Sequence, residues 1–236
     1  MIIDILTLFP GMFGGILGES MLRIAQKKKL VRINVHDLRD WTSDSHRTAD
    51  DKPFGGGPGM VMKVEPVFKA LRSIVGSKKS TSKVILLTPQ GKKFDQATAK
   101  RLAKEKRLVL ICGHYEGVDD RIRSLVDEEM SVGDYVLTCG ELPSMVLTDA
   151  VVRLIPGVLG HKEATKTESF ENGLLEYPQY TRPAEFEGMK VPQVLLSGDH
   201  KRIESWRREE AIKRTKKRRP DLVGSWESGV GRKRSK

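Results

Sequence analysis

The sequence predicts an α/β fold, a mostly parallel sheet in one large domain followed by a small basic helical domain. Three observations carry this reading. Mostly apolar stretches at residues 2–8, broken by Asp4 and Thr7, at 83–87, opened by Lys83, and at 108–112, apolar throughout, have the length and composition of buried strands. Stretches with helical spacing separate them, and the joining turns are short and contain glycine, the pattern of parallel strands joined by crossover helices. Beyond residue 170 the composition turns polar and strongly basic.

The elements follow in order. Residues 2–8 form a first buried strand, ended by Pro10 and Gly11. Residues 19–29 form a helix. Val31, Ile33 and Val35 then alternate with polar residues, the period of a half-buried strand. Residues 39–59 show no periodicity and include His46, Asp50 and the consecutive Gly55, Gly56 and Gly57; by composition this segment reads equally as a surface turn or as a loop that admits a ligand. Val64, Val67, Phe68, Leu71, Ile74 and Val75 mark one face of a packed helix. The strand at 83–87 opens onto Thr88, Pro89, Gln90 and Gly91, and a helix over 95–106 leads into the strand at 108–112. That strand opens onto Gly113, His114, Tyr115, Glu116 and Gly117. A further short buried strand is expected at Tyr135, Val136 and Leu137, opening onto Thr138, Cys139, Gly140 and Glu141. A helix beginning near Pro143 carries Met145, Val146, Ala150, Val151 and Leu154, with Arg153 at its end, where an arginine can simply answer the helix dipole. Residues 161–169 lack an apolar stripe and read as a flexible linker at a domain boundary. Gly198 and Asp199 open a last helix with Ile203 and Trp206, and six of the seven residues 213–219 are basic.

Composition narrows the function. The net charge of +11 favours a polyanionic partner, since neutralised phosphates release condensed counterions. Residues 1–170 hold 26 Lys and Arg against 21 Asp and Glu, a net +5, whereas residues 171–236 hold 16 against 10, a net +6. The tail is therefore much the more basic per residue. No apolar run approaches the ~20 residues of a membrane span, and the N-terminus lacks a basic, apolar leader, so no membrane association and a cytoplasmic location are expected. Cys112 and Cys139 form no C-x-x-C motif and no zinc-ribbon or H-E-x-x-H spacing appears, so no metal site is assigned and both thiols are expected to be reduced. No P-loop and no G-x-G-x-x-G after a strand is present.

The strings GHYEGVDDR, SVGDYVLTCGELP and RLIPGVLG, with HRTADDKPFGGGPGM upstream and YTRPAEFEGMKVPQVLLSGDH downstream, resemble the bacterial tRNA (guanine-N1)-methyltransferase family over residues 1 to about 222. The resemblance implies a SPOUT-like sheet whose C-terminal part is threaded as a trefoil knot. It implies three parts: residues 1–160 as a knotted domain that binds S-adenosylmethionine, 161–169 as the linker, and 170–236 as a basic helical domain that binds tRNA. The cofactor residues it implies are Leu87, Thr88 and Pro89; Gly113, Tyr115, Glu116 and Gly117; and Val132, Gly133, Asp134, Tyr135, Val136 and Leu137 with Gly140 and Pro143. Contacts to the target guanine fall to Asp50, His46, Gly55, Gly56, Gly57 and Glu116. The reaction implied is transfer of the cofactor's methyl group to N1 of guanine at tRNA position 37, beside the anticodon. N1 carries a proton at neutral pH, so a base must remove it. The residue matching the family's base is Glu168, and Arg153 matches the arginine that stabilises charge on O6.

Two departures are visible. Glu168 stands where the family has aspartate, one methylene longer, and Cys139 stands where it usually has glycine, narrowing the adenine side of the pocket. A homodimer with active sites shared between subunits is also implied, as is use of magnesium, to which no residues are assigned. Two other readings are weighed. A non-catalytic RNA-binding module would need no acid near position 168; a small-molecule enzyme of the doubly wound type would have no use for the basic tail.

Overall fold

The computed structural model describes residues 1–76, 81–160 and 165–223. The chain divides into two compact units, Met1–Gly160 and His161–Lys236. The start of the predicted linker, residues 161–164, and the end of the predicted basic domain, residues 224–236, lie outside the described residues.

The first unit runs β1 (Ile2–Thr7), a 3₁₀ turn (Pro10–Phe13), α1 (Gly14–Leu17), α2 (Ser20–Lys27) and β2 (Arg32–Asp37). After β3 (Asp50–Asp51) and β4 (Val61–Met62) come α3 (Val64–Val75), β5 (Lys83–Lys93), α4 (Gln96–Leu102), β6 (Arg107–Cys112), a 3₁₀ segment (Asp120–Leu125), β7 (Glu128–Ser131) and α5 (Glu141–Val152). Five strands form one sheet in the order β2-β1-β6-β5-β7, and every pairing in it is parallel. Successive side chains of a strand point to opposite faces, so these largely apolar strands feed two cores. Ile3, Ile5, Ile85, Leu87, Leu108, Leu110 and Cys112 pack on the face covered by α2, α4 and α5. Leu6, Val84, Leu86, Val109 and Ile111 pack on the other, with Val67, Ala70 and Leu71 of α3.

Among the described residues one charged side chain is buried within this sheet. Asp4 on β1 is buried and receives hydrogen bonds from Asn34, His36 and Arg107 at 2.9, 2.8 and 2.7 Å. Burial pushes its pKa up, but the bonds from His36, Arg107 and Asn34 outweigh that and hold it below the ordinary aspartate value.

Some expected elements differ. Tyr135, Val136 and Leu137 are not a strand; they are exposed residues of a loop. The strand is instead the polar β7, whose Glu128 is paired with Lys83 and Arg101 and whose Glu129 is paired with Arg123. Counter-charges let a Glu-Glu sequence occupy a sheet edge, while Met130 and Ser131 turn into the interior. β5 runs on to Lys93 through a bulge between Leu87 and Lys92, so the loop expected at 88–91 is an irregular stretch of strand. The helix expected over 95–106 stops at Leu102, capped at its start by Asp95, whose carboxylate accepts from Thr98 N–H at 2.7 Å. In α3, Phe68 is exposed and not part of the buried face.

The second unit contains β8 (Glu185–Phe186), β9 (Met189–Lys190), α6 (Gln193–Leu196) and α7 (His200–Arg218). Asp199 caps α7 through Arg202 N–H at 3.1 Å. Only Ala211 and Thr215 of α7 are buried. The Thr215 hydroxyl donates to Ala211 O and accepts from Leu175 N–H, tying the helix to the preceding segment. No helix among the described residues is long and apolar enough to cross a membrane.

Candidate functional site

A cavity of about 430 Å³ opens at the bulge of β5 and the carboxyl ends of β6 and β7, neighbours in the sheet. In a parallel sheet this edge leaves backbone groups without ladder partners, which is why ligands gather there. Its walls are three segments. The bulged stretch of β5 at Leu87, Thr88, Pro89 and Gln90 forms the first; residues 113–118 form the second; residues 132–133 and 135–140 with Pro143 at the start of α5 form the third. Every cofactor residue predicted from sequence lines this cavity except Asp134, whose exposed carboxylate pairs with Lys93 at 2.6 Å. Sequence reasoning missed Arg123, which also lines it. Its guanidinium binds Gln90 at 2.6 Å and Asp120 at 2.7 Å and pairs with Glu129, closing the wall between the first loop and β7. No spacing motif singles out such a residue; only pairing of the loops reveals it.

The loops are held by backbone contacts. Gly140 N–H donates to Gly113 O at 2.7 Å, and His114 and Cys139 form an antiparallel bridge. A Cβ on Gly140 would lie 2.6 Å from Gly113 N and 2.7 Å from Cys112 Cα. Only glycine permits this approach. Gly91 is pressed in the same way against the backbone of Met130. Tyr115, at the turn of the second loop, adopts φ +60°, a left-handed conformation that strains a non-glycine residue. Its hydroxyl pKa is pushed up, by burial first and then by the neighbouring Asp50 carboxylate.

That contact begins the link to the glycine-rich loop. Asp50 lies on β3, paired with Met62 on β4, so the segment is not wholly irregular. Glu116 N–H donates to Met60 O at 3.1 Å, and Met62 N–H donates to Gly117 O at 3.0 Å. Gly59 packs under the Glu116 side chain, where any Cβ would collide. The second cavity loop and the base of the glycine-rich loop thus form one body holding Asp50 and Glu116. At the tip, Gly55, Gly56 and Gly57 take φ values of +88°, +79° and +119° with open space around them, and Phe54 is fully exposed. His46 is exposed as well.

Two predicted catalytic residues are not part of this lining. Arg153 is the C-terminal cap of α5, half-buried, ten residues beyond Pro143 and so about 15 Å along the helix from the cavity wall. Glu168 belongs to the second unit, in a turn where Glu171 N–H donates to its carbonyl. The second unit has its own cavity of about 480 Å³, lined by Tyr177, Tyr180, Arg182 and Arg207 among others; the Arg207 guanidinium lies over the Tyr177 ring at 4.9 Å.

Both cysteines are free and buried. Burial first, then the Glu141 charge, pushes the Cys112 thiol well up. The fold also brings together side chains that the spacing of the sequence did not connect. His114, Cys139 and Glu141 each offer a ligand atom within 4.8 Å of the others.

Known proteins match this chain along almost its whole length. The family model described as tRNA (Guanine-1)-methyltransferase TrmD matches residues 1–225. The chain is 59% identical over 221 residues to the tRNA (guanine-N(1)-)-methyltransferase of Dictyoglomus turgidum, covering 94% of this chain and 89% of that one. It is 56% identical over 224 residues to the protein of the same name from Limosilactobacillus reuteri, covering 94% and 89%. With that from Geobacillus kaustophilus the figures are 55% over 225 residues, 95% and 92%.

Proposed function

The chain belongs to the tRNA (guanine-N1)-methyltransferase family, and from that premise we propose that it methylates N1 of the guanine at tRNA position 37 with S-adenosylmethionine as donor. The observation that carries the cofactor half of this reading is the cavity. Its volume falls in the range of small-molecule sites, about 300–1,000 Å³, and its loops approach so closely that glycine is required at Gly140. When bound, S-adenosylmethionine supplies an electrophilic methyl group.

The protein's part is to hold the guanine and move its proton. Asp50 and Glu116, fixed together by the β4 contacts, accept hydrogen bonds from the guanine edge. Glu168 takes the N1 proton, and Arg153 answers the negative charge that spreads to O6. Exposed Phe54 and the open glycines beside it leave room for a base that has left its stack. The second unit supplies tRNA affinity through the cationic face of α7 and the Tyr177–Arg207 surface. Magnesium is given no step. The one metal-ligand group among the described residues contains a thiol and an imidazole, which suit a softer ion than magnesium.

The site is completed by a second copy of the chain. Arg153 sits about 15 Å of helix from the cavity wall of its own unit, and apolar side chains remain uncovered nearby: Met12, Ile16, Leu142 and Val146. A helix apolar on its outer face marks a surface built to be covered, and a twofold axis would repeat the arrangement at both sites. The trefoil knot of the family fits the close chain crossings at Gly91 and Gly140. Because its substrate is tRNA, the enzyme is assigned to the cytoplasm.

The test follows methyl transfer from tritium-labelled S-adenosylmethionine to an unmodified tRNA transcript. Glu168→Gln and Arg153→Ala should lose transfer but keep cofactor affinity. A transcript with adenine at position 37 should accept no label. Co-expressing Glu168→Ala with Gly133→Trp should restore activity in mixed dimers, because one site then has an intact cavity and an intact base. Full activity of Glu168→Gln removes the base, and dead mixed dimers remove the shared site.

A further inference from the structure

We propose that His114, Cys139 and Glu141 form a site for a divalent transition-metal ion of the zinc class, on the inner wall of the cavity. The three side chains reach one point from different directions. His114 follows β6, Cys139 ends the third cavity loop, and Glu141 opens α5. The first two are locked together by their own backbone bridge and by the bond from Gly140 to Gly113. The imidazole also contacts the rings of Phe9 and Tyr115, with centroids at 4.7 and 4.5 Å.

The decisive feature is what the buried polar atoms lack. Glu141 has no exposed surface. The Thr7 hydroxyl donates to its Oε1 at 2.5 Å, but its Oε2 is buried with no hydrogen-bond partner, and so is His114 Nδ1. An unsatisfied buried polar atom costs about 1–3 kcal/mol, more when charged. The same two residues each offer a ligand atom within 4.8 Å of the other's and of the Cys139 sulfur, and a carboxylate oxygen and a bare imidazole nitrogen are both acceptors. A cation between them satisfies both.

Donor chemistry selects the ion. One sulfur, one nitrogen and one oxygen are a borderline-soft set that favours zinc or cobalt(II) over magnesium or calcium. Around a tetrahedral zinc, donor atoms lie about 3.3–3.7 Å apart, given bond lengths of ~2.0–2.3 Å. The observed spread, within 4.8 Å, closes to that by about an ångström of side-chain rotation. The thiol would bind as thiolate, its proton passing to solvent. Thr7, already bonded to Glu141, then acts as the outer-shell partner that orients the carboxylate. Three protein ligands leave a fourth position, and because His114 and Cys139 line the cavity while Glu141 is sealed behind them, that position faces the cavity.

The test uses the full chain stripped with a chelator and needs neither tRNA nor S-adenosylmethionine, so its outcome stands apart from that of the methyl-transfer assay. Calorimetric titration with zinc should show one ion per chain. Titration with cobalt(II) should give the thiolate-to-cobalt charge-transfer band and the strong visible bands of a four-coordinate ion. Cys139→Ala should abolish the charge-transfer band, while Cys112→Ala should keep it. Thr7→Val should weaken zinc binding by ~10–100-fold. Circular dichroism establishes that each variant is folded, and the wild-type cobalt spectrum reads the thiolate even if a variant is not. No stoichiometric uptake, a cobalt spectrum without a thiolate band, or a band that survives Cys139→Ala overturns the proposal; the pocket between the three groups would then hold only water.

Discussion

In the first unit the cavity loops are positioned by backbone. Gly140 bonds to Gly113, Met62 bonds to Gly117, and Gly59 and Gly140 sit where a single added methyl group would collide. In the second unit α7 buries only Ala211 and Thr215 and gives the rest of its surface to solvent and charge. The contrast matches the two partners proposed for them. A small cofactor is recognised by shape, which requires a rigid wall; a phosphate backbone is recognised by charge density, which tolerates mobile side chains. Sensitivity to substitution should therefore be steep and local in the first region, graded and salt-dependent in the second.

The sharpest way to break that comparison is at Gly140. Gly140→Ala places a Cβ 2.6 Å from one backbone atom and 2.7 Å from another, with no flexible side chain to give way. Cofactor binding should fall by more than ~100-fold, since separating the loops by an ångström dismantles two walls at once. Gly117→Ala is the control. Its φ of +139° makes alanine strained, yet nothing lies within 4 Å of the new carbon, so a loss nearer ~10-fold is expected. Calorimetry with S-adenosylmethionine measures both, and equal losses would show that strain, not steric collision, governs the loops.

Next in size is the cationic helix. Lys216, Lys217 and Arg218 are exposed and have no acidic partner among the described residues, whereas Arg219 pairs with Asp221 and Lys213 with Glu210. Replacing those three by alanine should weaken tRNA binding and lower the slope of log affinity against log salt by roughly 0.9 for each phosphate no longer neutralised. Cofactor affinity should not change with salt. An unaltered slope would move the tRNA surface elsewhere.

Much of this organisation is legible in the sequence, and the illegible parts have physical causes. The run at 108–112 reads as a strand because both faces of β6 are buried and every side chain is apolar. β7 does not, because Glu128 and Glu129 are tolerated by Lys83, Arg101 and Arg123, partners that come from distant parts of the chain. Tyr135, Val136 and Leu137 mislead in the opposite direction. Their apolar side chains are exposed at the cavity mouth, where a ligand or a second copy of the chain would cover them. The metal-ligand group was invisible for a related reason: His114 and Cys139 are neighbours only through a bridge between loops, and no spacing rule reports that.

Stability separates the units as well. Asp4 contributes through a carboxylate held ionised by His36, Arg107 and Asn34. Its folded pKa lies below the unfolded value of ~3.9, so its stabilisation is fully present above that pH and is lost as the pH falls through the folded value. Asp4→Asn should cost about 2 kcal/mol at neutral pH, leaving Arg107 without its buried partner. The variant's stability should also fall less steeply in acid than that of the parent. Denaturant melts across pH 2–7 would read both effects, and a variant with the parent's acid slope would exonerate Asp4.

The smallest effect is the most discriminating, because it applies one change to both regions. Asp95 caps α4 through Thr98 N–H at 2.7 Å, and Asp199 caps α7 through Arg202 N–H at 3.1 Å. Replacing either aspartate by alanine removes the same hydrogen bond at the same helical position, worth about 1 kcal/mol. In α4 the cap lies beside buried Thr98, Ala99 and Leu102, so packing holds the turn after the bond is removed. The cost of Asp95→Ala should appear as a shift in the melting of the whole first unit, with little extra local exchange. In α7 the nearest buried residue, Ala211, is about three turns away. Among the described residues only half-buried Ile203, facing Leu195 and Leu196 of α6, supports the first turn besides the cap. Asp199→Ala should therefore leave the first unit's melting unchanged and instead speed hydrogen exchange over residues 200–204, since fraying is the easiest opening available. Equal protection in the two variants would mean that α7 is anchored by contacts beyond its own buried residues.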